Sequence, residues 1–215
     1  MGIINEFLNS LRHEFSSQKL EITSVHPTPI AQMEKWIEEA VDAQILEPHA
    51  MVISTVDKHC QPSSRIVYLR ELNEDGLVFY TNYHSRKGRD LQVNSGGSAL
   101  FFYAELERQI RIEGSISPVS EEMSDLYFAS RPLESKLGAW ASEQSNEISN
   151  RKVLEERLEY YKNKFGDSVP RPPHWGGYLL KPNRFEFWQG RPARLHDRIV
   201  YSLISEQWVI SRLAP

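Results

Sequence analysis

Residues 98–116 read SALFFYA from Ser98 and RQIRIEGSI from Arg108, and these two runs decide the fold. Each is short, rich in β-branched and aromatic residues, and flanked by polar or turn-forming residues, which marks strands rather than helices. The same kind of run recurs on both sides. AMVISTV begins at Ala50, SSRIVYLR at Ser63 and GLVFYTN at Gly76; downstream come WGGYLL from Trp175, RFEFWQG from Arg184, DRIVYSL from Asp197 and QWVISRL from Gln207. Strands at this spacing predict a barrel or sandwich.

Helical signals fill the gaps. Thr28 and Pro29 open a stretch in which Ile30, Met33, Ile37, Ala40 and Val41 recur at helical spacing, predicting an amphipathic helix that ends before Pro48. SEEMSDLYFAS from Ser120 predicts a second helix, and the charged segment from Arg151 to Phe165 a solvated outer one. Residues 1–27 are polar and end in Val25-His26-Pro27, so they read as a flexible arm. Residues 28–215 then form a single α+β domain built on an antiparallel barrel.

Composition narrows the function. The chain has 215 residues, 40% hydrophobic and 11% aromatic, enough for a substantial core. A net charge of -4 argues against a nucleic-acid coat. The N-terminus lacks a signal-peptide pattern and no apolar run approaches a membrane span, so a cytoplasmic protein without a membrane partner is expected. A lone cysteine, Cys60, leaves no internal disulfide. No P-loop, GxGxxG turn, HExxH or paired-cysteine spacing is present, and no metal site is expected.

What stands out is cationic residues placed in or beside apolar strands, where a charged head is costly without a partner. Arg65 and Arg70 flank the apolar run from Ile66 to Leu69, and Arg86-Lys87 follow Tyr80-Thr81-Asn82 across a short loop. Any one of these alone fits snorkelling or an ion pair at a strand edge. Together they suit an anion. YTNYHSRKGRDL from Tyr80 joins hydroxyl and amide donors to two adjacent cations at a helix start, which suits phosphate oxygens. FWQGRPARLHDR from Phe187 gathers Trp188, Gln189, Arg194, His196 and Arg198 between two strands. It is either a solvated hairpin or a site where Trp188 lines a flat ring and the cations face negative groups.

RIVYLR from Arg65, FYTNYHSRKG from Phe79, ERQIRIEG from Glu107, SRP from Ser130, GAWASEQS from Gly138, EFWQG from Glu186, RLHDR from Arg194 and the terminal RLAP resemble the pyridoxamine 5'-phosphate oxidase family. The likeness runs in order from about Leu11 to Pro215. It implies a homodimer of FMN-binding split β-barrels, antiparallel and Greek-key with peripheral helices, whose active sites borrow residues from both chains. The implied reaction is FMN-dependent oxidation of pyridoxamine and pyridoxine 5'-phosphate to pyridoxal 5'-phosphate, with O2 as acceptor giving H2O2.

The resemblance implies that Arg65, Ile66, Val67, Tyr80, Thr81, Ser85, Arg86 and Lys87 hold the FMN phosphate and ribityl chain. It puts Gln109 near the flavin ring and makes Gln144, Ser145, Trp188 and Arg198 further FMN contacts. For the substrate it implies Arg70, Tyr127, Arg131 and Ser135 around the phosphate, Arg194 and His196 as the catalytic pair by the pyridine ring, and Arg12 as a lid. Two positions depart from the usual pattern: Arg70, often lysine, and Phe15, often tyrosine. Arginine keeps the charge but offers a planar fork, and phenylalanine lacks the hydroxyl. Two other readings stand beside this one: a split-barrel flavin reductase that uses a nicotinamide cofactor, and a carrier that binds without turnover.

Overall fold

The computed structural model describes residues 3–10, 14–15 and 18–215. Its elements run α1 (Ile3–Ser10), α2 (Pro29–Asp42), β1 (Ala50–Val56), β2 (Pro62–Tyr68), β3 (Glu71–Asn73), β4 (Gly76–Asn82), α3 (Arg86–Val93), β5 (Gly96–Tyr103), β6 (Arg108–Pro118), α4 (Glu121–Ser130), α5 (Leu133–Ala141), α6 (Lys152–Phe165), β7 (Trp175–Gln189), β8 (Asp197–Ile204) and β9 (Gln207–Arg212). The strands hydrogen-bond in the order β2-β1-β5-β6-β7-β4-β3, with β8 on β7 and β9 on β8. The β1–β2, β1–β5, β3–β4, β4–β7, β7–β8 and β8–β9 pairs are antiparallel. No helix among the described residues is long and apolar enough to cross a membrane.

Two compact units partition the chain, one of Met1–Pro48, Phe101–Arg111 and Arg184–Pro215, the other of His49–Leu100 and Ile112–Asn183. In the first, the Thr28 hydroxyl caps α2 by accepting from Ala31 N at 3.4 Å, and Pro29 pre-sets the opening turn. Met33, Trp36 and Ala40 form the buried stripe of α2. Trp36 meets Phe187 edge-on at 5.2 Å, and Phe187 meets Tyr201 at 5.6 Å. Each such ring contributes roughly 1.5–3 kcal/mol by leaving water. The Arg108 guanidinium lies over the Trp36 ring, 4.6 Å from its centroid, and pairs with Glu39.

In the second unit β1 alternates in burial, sending Met51, Ile53 and Thr55 inward, whereas β4 is buried along nearly its whole length. Beneath α5 and α6 lies a separate cluster of Phe128, Leu137, Val169 and Trp175. The runs WGGYLL and RFEFWQG, read separately in the sequence, belong to one strand, β7, because Lys181-Pro182-Asn183 does not break it. Gly114 permits that continuity: a Cβ there would lie 2.1 Å from the Lys181 carbonyl oxygen, so only glycine lets the backbones approach this closely.

Candidate active site

Where β4 ends, the chain folds back on itself to start α3. Asn82 Oδ1 accepts from His84 N at 2.7 Å, and the Ser85 hydroxyl donates to Asn82 O at 2.7 Å while accepting from Gly88 N at 3.4 Å, capping the helix. A Cβ on Gly88 would lie 1.9 Å from Tyr83 O, which fixes glycine at this corner. Lys87 is drawn inward as a result and is 7% exposed. Its Nζ donates to Thr81 Oγ1 at 2.9 Å, Ser85 Oγ at 3.2 Å and Gln144 Oε1 at 2.9 Å. All three acceptors are neutral, and no carboxylate pairs with this ammonium among the described residues. Burial, and then the charge of Arg65, push its pKa down to about 8.

Arg65 approaches from β2. Its Nη1 donates to Ile53 O at 3.2 Å and Thr55 Oγ1 at 2.8 Å, and its Nη2 to Ser63 Oγ at 2.6 Å. Both hydroxyls donate onward to the buried carboxylate of Asp90, Thr55 at 2.6 Å and Ser63 at 3.1 Å. Asp90 Oδ2 lies 3.8 Å from Arg65 Nη2, and Arg65, Arg86 and Lys87 line a cavity of about 380 Å³ together with Gln144 and Ser145. An excess of positive charge beside a helix N-terminus is a site for a phosphate.

A second cavity, of about 480 Å³, shares Ile66, Lys87 and Gln144 with the first and extends past Val67 to Arg70, Tyr127, Arg131 and Ser135. Tyr80 and Tyr127 stack at 3.8 Å with 8° between their planes, and Tyr80 and Trp175 at 5.6 Å and 11°. The Arg131 guanidinium lies 4.6 Å from the Trp175 centroid, and its Nη1 is buried without a hydrogen-bond partner. Buried donors are rarely left so, and the cost falls when a ligand supplies the acceptor. Arg70 is exposed, 5.1 Å from the Tyr68 ring centroid.

The remaining predicted residues lie in the first unit. After β7 the backbone turns through left-handed conformations at Ala193 (φ 57°) and Arg194 (φ 61°), a costly pair for residues with a Cβ. His196 Nδ1 accepts from Arg191 N at 3.1 Å, so the neutral ring carries its proton on Nε2. Burial, then the Arg194 charge, hold its pKa below the ordinary value, which favours the neutral ring. Its ring meets Trp188 at 4.6 Å and Phe15, edge-on, at 4.8 Å. Arg198 forms a fork with the buried carboxylate of Glu186, at 2.8 and 3.1 Å, and donates to Ala214 O at 2.8 Å, tying down the RLAP end. Burial works against Glu186 ionising, yet the Arg198 bonds and the charges of Arg111 and Arg198 hold its pKa low. Gln109 sits on β6, half-buried. Arg12 lies outside the described residues.

Fourteen predicted residues therefore fall in the second unit, from Arg65 to Ser145, and Gln109, Trp188, Arg194, His196 and Arg198 in the first. Sequence reading missed Thr55, Ser63, Asp90, Trp175 and Glu186. Asp90 had a signal, as the one acidic residue in SRKGRDL; Trp175 and Glu186 look in sequence like ordinary strand residues.

An antiparallel α+β framework with a cation-rich corner beside an aromatic-walled cavity is the kind of site that suits a phosphorylated, flat-ringed small molecule. Residues 37–165 match the family model for pyridoxamine 5'-phosphate oxidase, and residues 175–215 that for the pyridoxine 5'-phosphate oxidase C-terminal dimerisation region. Pyridoxine/pyridoxamine 5'-phosphate oxidases of Burkholderia mallei (52% identical over 211 residues, 97% of this chain and 99% of that one) and Cyanothece sp. (50% over 209 residues, 97% and 98%) are similar throughout. The chain belongs to the pyridoxamine 5'-phosphate oxidase family and has its split-barrel fold. A crystal structure of PhzG from Burkholderia lata, in complex with tetrahydrophenazine-1-carboxylic acid, matches with a TM-score of 0.88 and 30% identity over 94% of this chain and all of that one. A pyridoxamine 5'-phosphate oxidase-related, FMN binding protein of Nostoc punctiforme matches in fold, with a TM-score of 0.69 and 15% identity over 89% of this chain and 100% of that one.

Proposed function

We propose that the chain is an FMN-dependent oxidase that converts pyridoxamine 5'-phosphate and pyridoxine 5'-phosphate to pyridoxal 5'-phosphate. The alcohol and O2 give the aldehyde and H2O2; the amine, O2 and water give the aldehyde, ammonia and H2O2. One observation carries this reading: the second unit offers two cationic stations, the Arg65–Lys87 corner and the unpartnered Arg131 Nη1, and the reaction needs two phosphates held at once. The buried Lys87 among neutral acceptors fits the FMN phosphate, because a dianion there supplies the charge that the protein leaves out.

The chemistry that a bound flavin supplies is two-electron oxidation, with the electrons passed on to O2. The chain's own residues bind and orient. Arg65, Tyr80, Thr81, Ser85, Arg86 and Lys87 hold the cofactor phosphate and ribityl chain, with Ile66, Val67, Gln109, Gln144, Ser145, Trp188 and Arg198 as further contacts. Arg70, Tyr127, Arg131 and Ser135 hold the substrate phosphate. Arg194 and the Nε2 proton of His196 orient the pyridine ring, where positioning governs the rate. Residues 28–215 act as one domain, with residues 1–27 as an arm whose Arg12 covers the substrate.

The protein works as a cytoplasmic homodimer, each site drawing on both copies. The dimerisation-region match at residues 175–215 supports this, as do the exposed apolar residues Leu203, Ile204 and Val209 of β8 and β9.

An anaerobic visible spectrum taken before and after adding pyridoxine 5'-phosphate, then in air, tests the reading. Bleaching of the flavin band, followed by recovery with release of peroxide, is expected. A bound flavin that stays oxidised refutes it, and bleaching by a nicotinamide cofactor instead establishes the reductase alternative.

A further inference from the structure

Arg131 is held in an unusual way for a buried arginine. Its backbone N–H bonds Phe128 O at 3.2 Å at the end of α4, and Pro132 carries the chain away from the helix, so the side chain's root is fixed. The guanidinium, however, meets no carboxylate among the described residues. It lies against rings instead, 4.6 Å from the Trp175 centroid and 5.5 Å from that of Phe128.

Those two kinds of partner leave different things free. A carboxylate takes the in-plane N–H donors of a guanidinium, which are the groups that grip a phosphate. An aromatic ring takes the flat face and leaves those donors available. Here the ring is itself immobilised: Trp175 is 6% exposed, lies parallel to Tyr127 within 6° and to Tyr80 within 11°, and those two tyrosines stack on each other. The Trp175–Tyr127–Tyr80 block therefore gives the Arg131 guanidinium a fixed surface to rest over at the larger cavity, with Nη1 unpartnered.

We infer that Trp175 is a positioning residue for substrate: its indole holds Arg131 by the face, keeping the edge donors open for the dianion of a phosphate monoester. The inference rests on the substrate reading above. A competing role must be separated from it, since Trp175 also packs in the cluster with Phe128, Leu137 and Val169.

The test uses the flavin-loaded protein and 4-deoxypyridoxine 5'-phosphate, a phosphate monoester without the oxidisable group, with affinity measured by calorimetry. Trp175→Leu is expected to weaken binding about tenfold, and Trp175→Phe to restore it to within about threefold of wild type. In an Arg131→Leu background Trp175→Leu should cost almost nothing more, because the indole acts through the guanidinium. Arg131→Lys, which loses both the flat face and the in-plane fork, should also cost about tenfold, and if Trp175→Leu does not fold, Trp175→Met in the same cycle with Arg131→Leu decides the matter. Unaltered affinity in Arg131→Lys, or additive losses from Trp175→Leu and Arg131→Leu, would overturn the role of Trp175 while leaving the oxidase reading standing. Wild-type protein that binds flavin but not the phosphate monoester overturns both.

Discussion

The cationic corner at β4 and α3 and the loop after β7 are both rich in arginine or lysine, but they are built on opposite principles. At the corner, two of the three cations are anchored by regular elements, Lys87 by a capped helix and three neutral acceptors and Arg65 by two hydroxyls that lean on Asp90, while Arg86 is exposed. In the loop, Arg194 is exposed on left-handed backbone, and the ordered groups around it are aromatic. The first region spends its hydrogen bonds on holding charge in place; the second leaves its charge to be ordered by whatever it meets. An anchor for a resident cofactor is expected to look like the first, and a group that must admit and release substrate like the second.

The sharpest way to break this contrast is to remove the anchor. Lys87→Met is expected to lower FMN affinity about a hundredfold, on the order of 3 kcal/mol for a charge-assisted contact, as read by flavin fluorescence titration. Without flavin, the same variant should melt no lower than wild type, since it replaces a buried, carboxylate-free ammonium with an apolar chain. A lower melting temperature together with unaltered FMN affinity would make Lys87 a structural residue and erase the distinction. Arg194→Ala should do the reverse: kcat/KM falls about thirtyfold, and FMN affinity stays within about twofold. Turnover that survives this change would remove Arg194 from the site.

Titration sharpens the contrast further. Lys87 has a pKa of about 8 in the flavin-free protein, so its charge is present below that pH and lost above it. A phosphate monoester is already dianionic above pH 7, and the affinity of the flavin-free protein for FMN should therefore fall as pH rises, about tenfold between pH 7 and pH 9. Lys87→Met should flatten that slope. His196 adds little to that slope, because burial and the Arg194 charge hold its pKa below the ordinary value.

How much of this was legible in the sequence follows from how local each feature is. GLVFYTN matches β4 residue for residue, because a fully buried strand between turn residues announces both its ends. The cations of YTNYHSRKG were legible because hydroxyl, amide and charge sit within one turn of each other. What neutralises them was not, since Thr55 and Ser63 reach Asp90 from strands 35 and 27 residues away. Helix α5 passed unread because Pro132 offers no side-chain cap and LESKLGAWA has weak periodicity. Trp175 and Glu186 each lie in an unbroken buried run of β7, and only the fold reveals that one lies against a guanidinium and the other takes one by the edge.

The smallest effect belongs to Phe15, where the sequence departs from the usual tyrosine. Its ring meets His196 at 4.8 Å and Trp188 at 5.7 Å, both edge-on, and a Cβ on Gly190 would fall 2.4 Å from its Cδ1. Those contacts need only the ring, so Phe15→Tyr should leave kcat/KM within about twofold, whereas Phe15→Ala should lower it about threefold by freeing the imidazole to tilt. The loss should appear in kcat/KM and not in FMN affinity, because Phe15 touches Trp188 and His196 around the substrate-ordering loop. If Phe15→Ala instead released flavin, the anchor and the loop would not be separable functions, and the contrast between the two regions would fail at its weakest link.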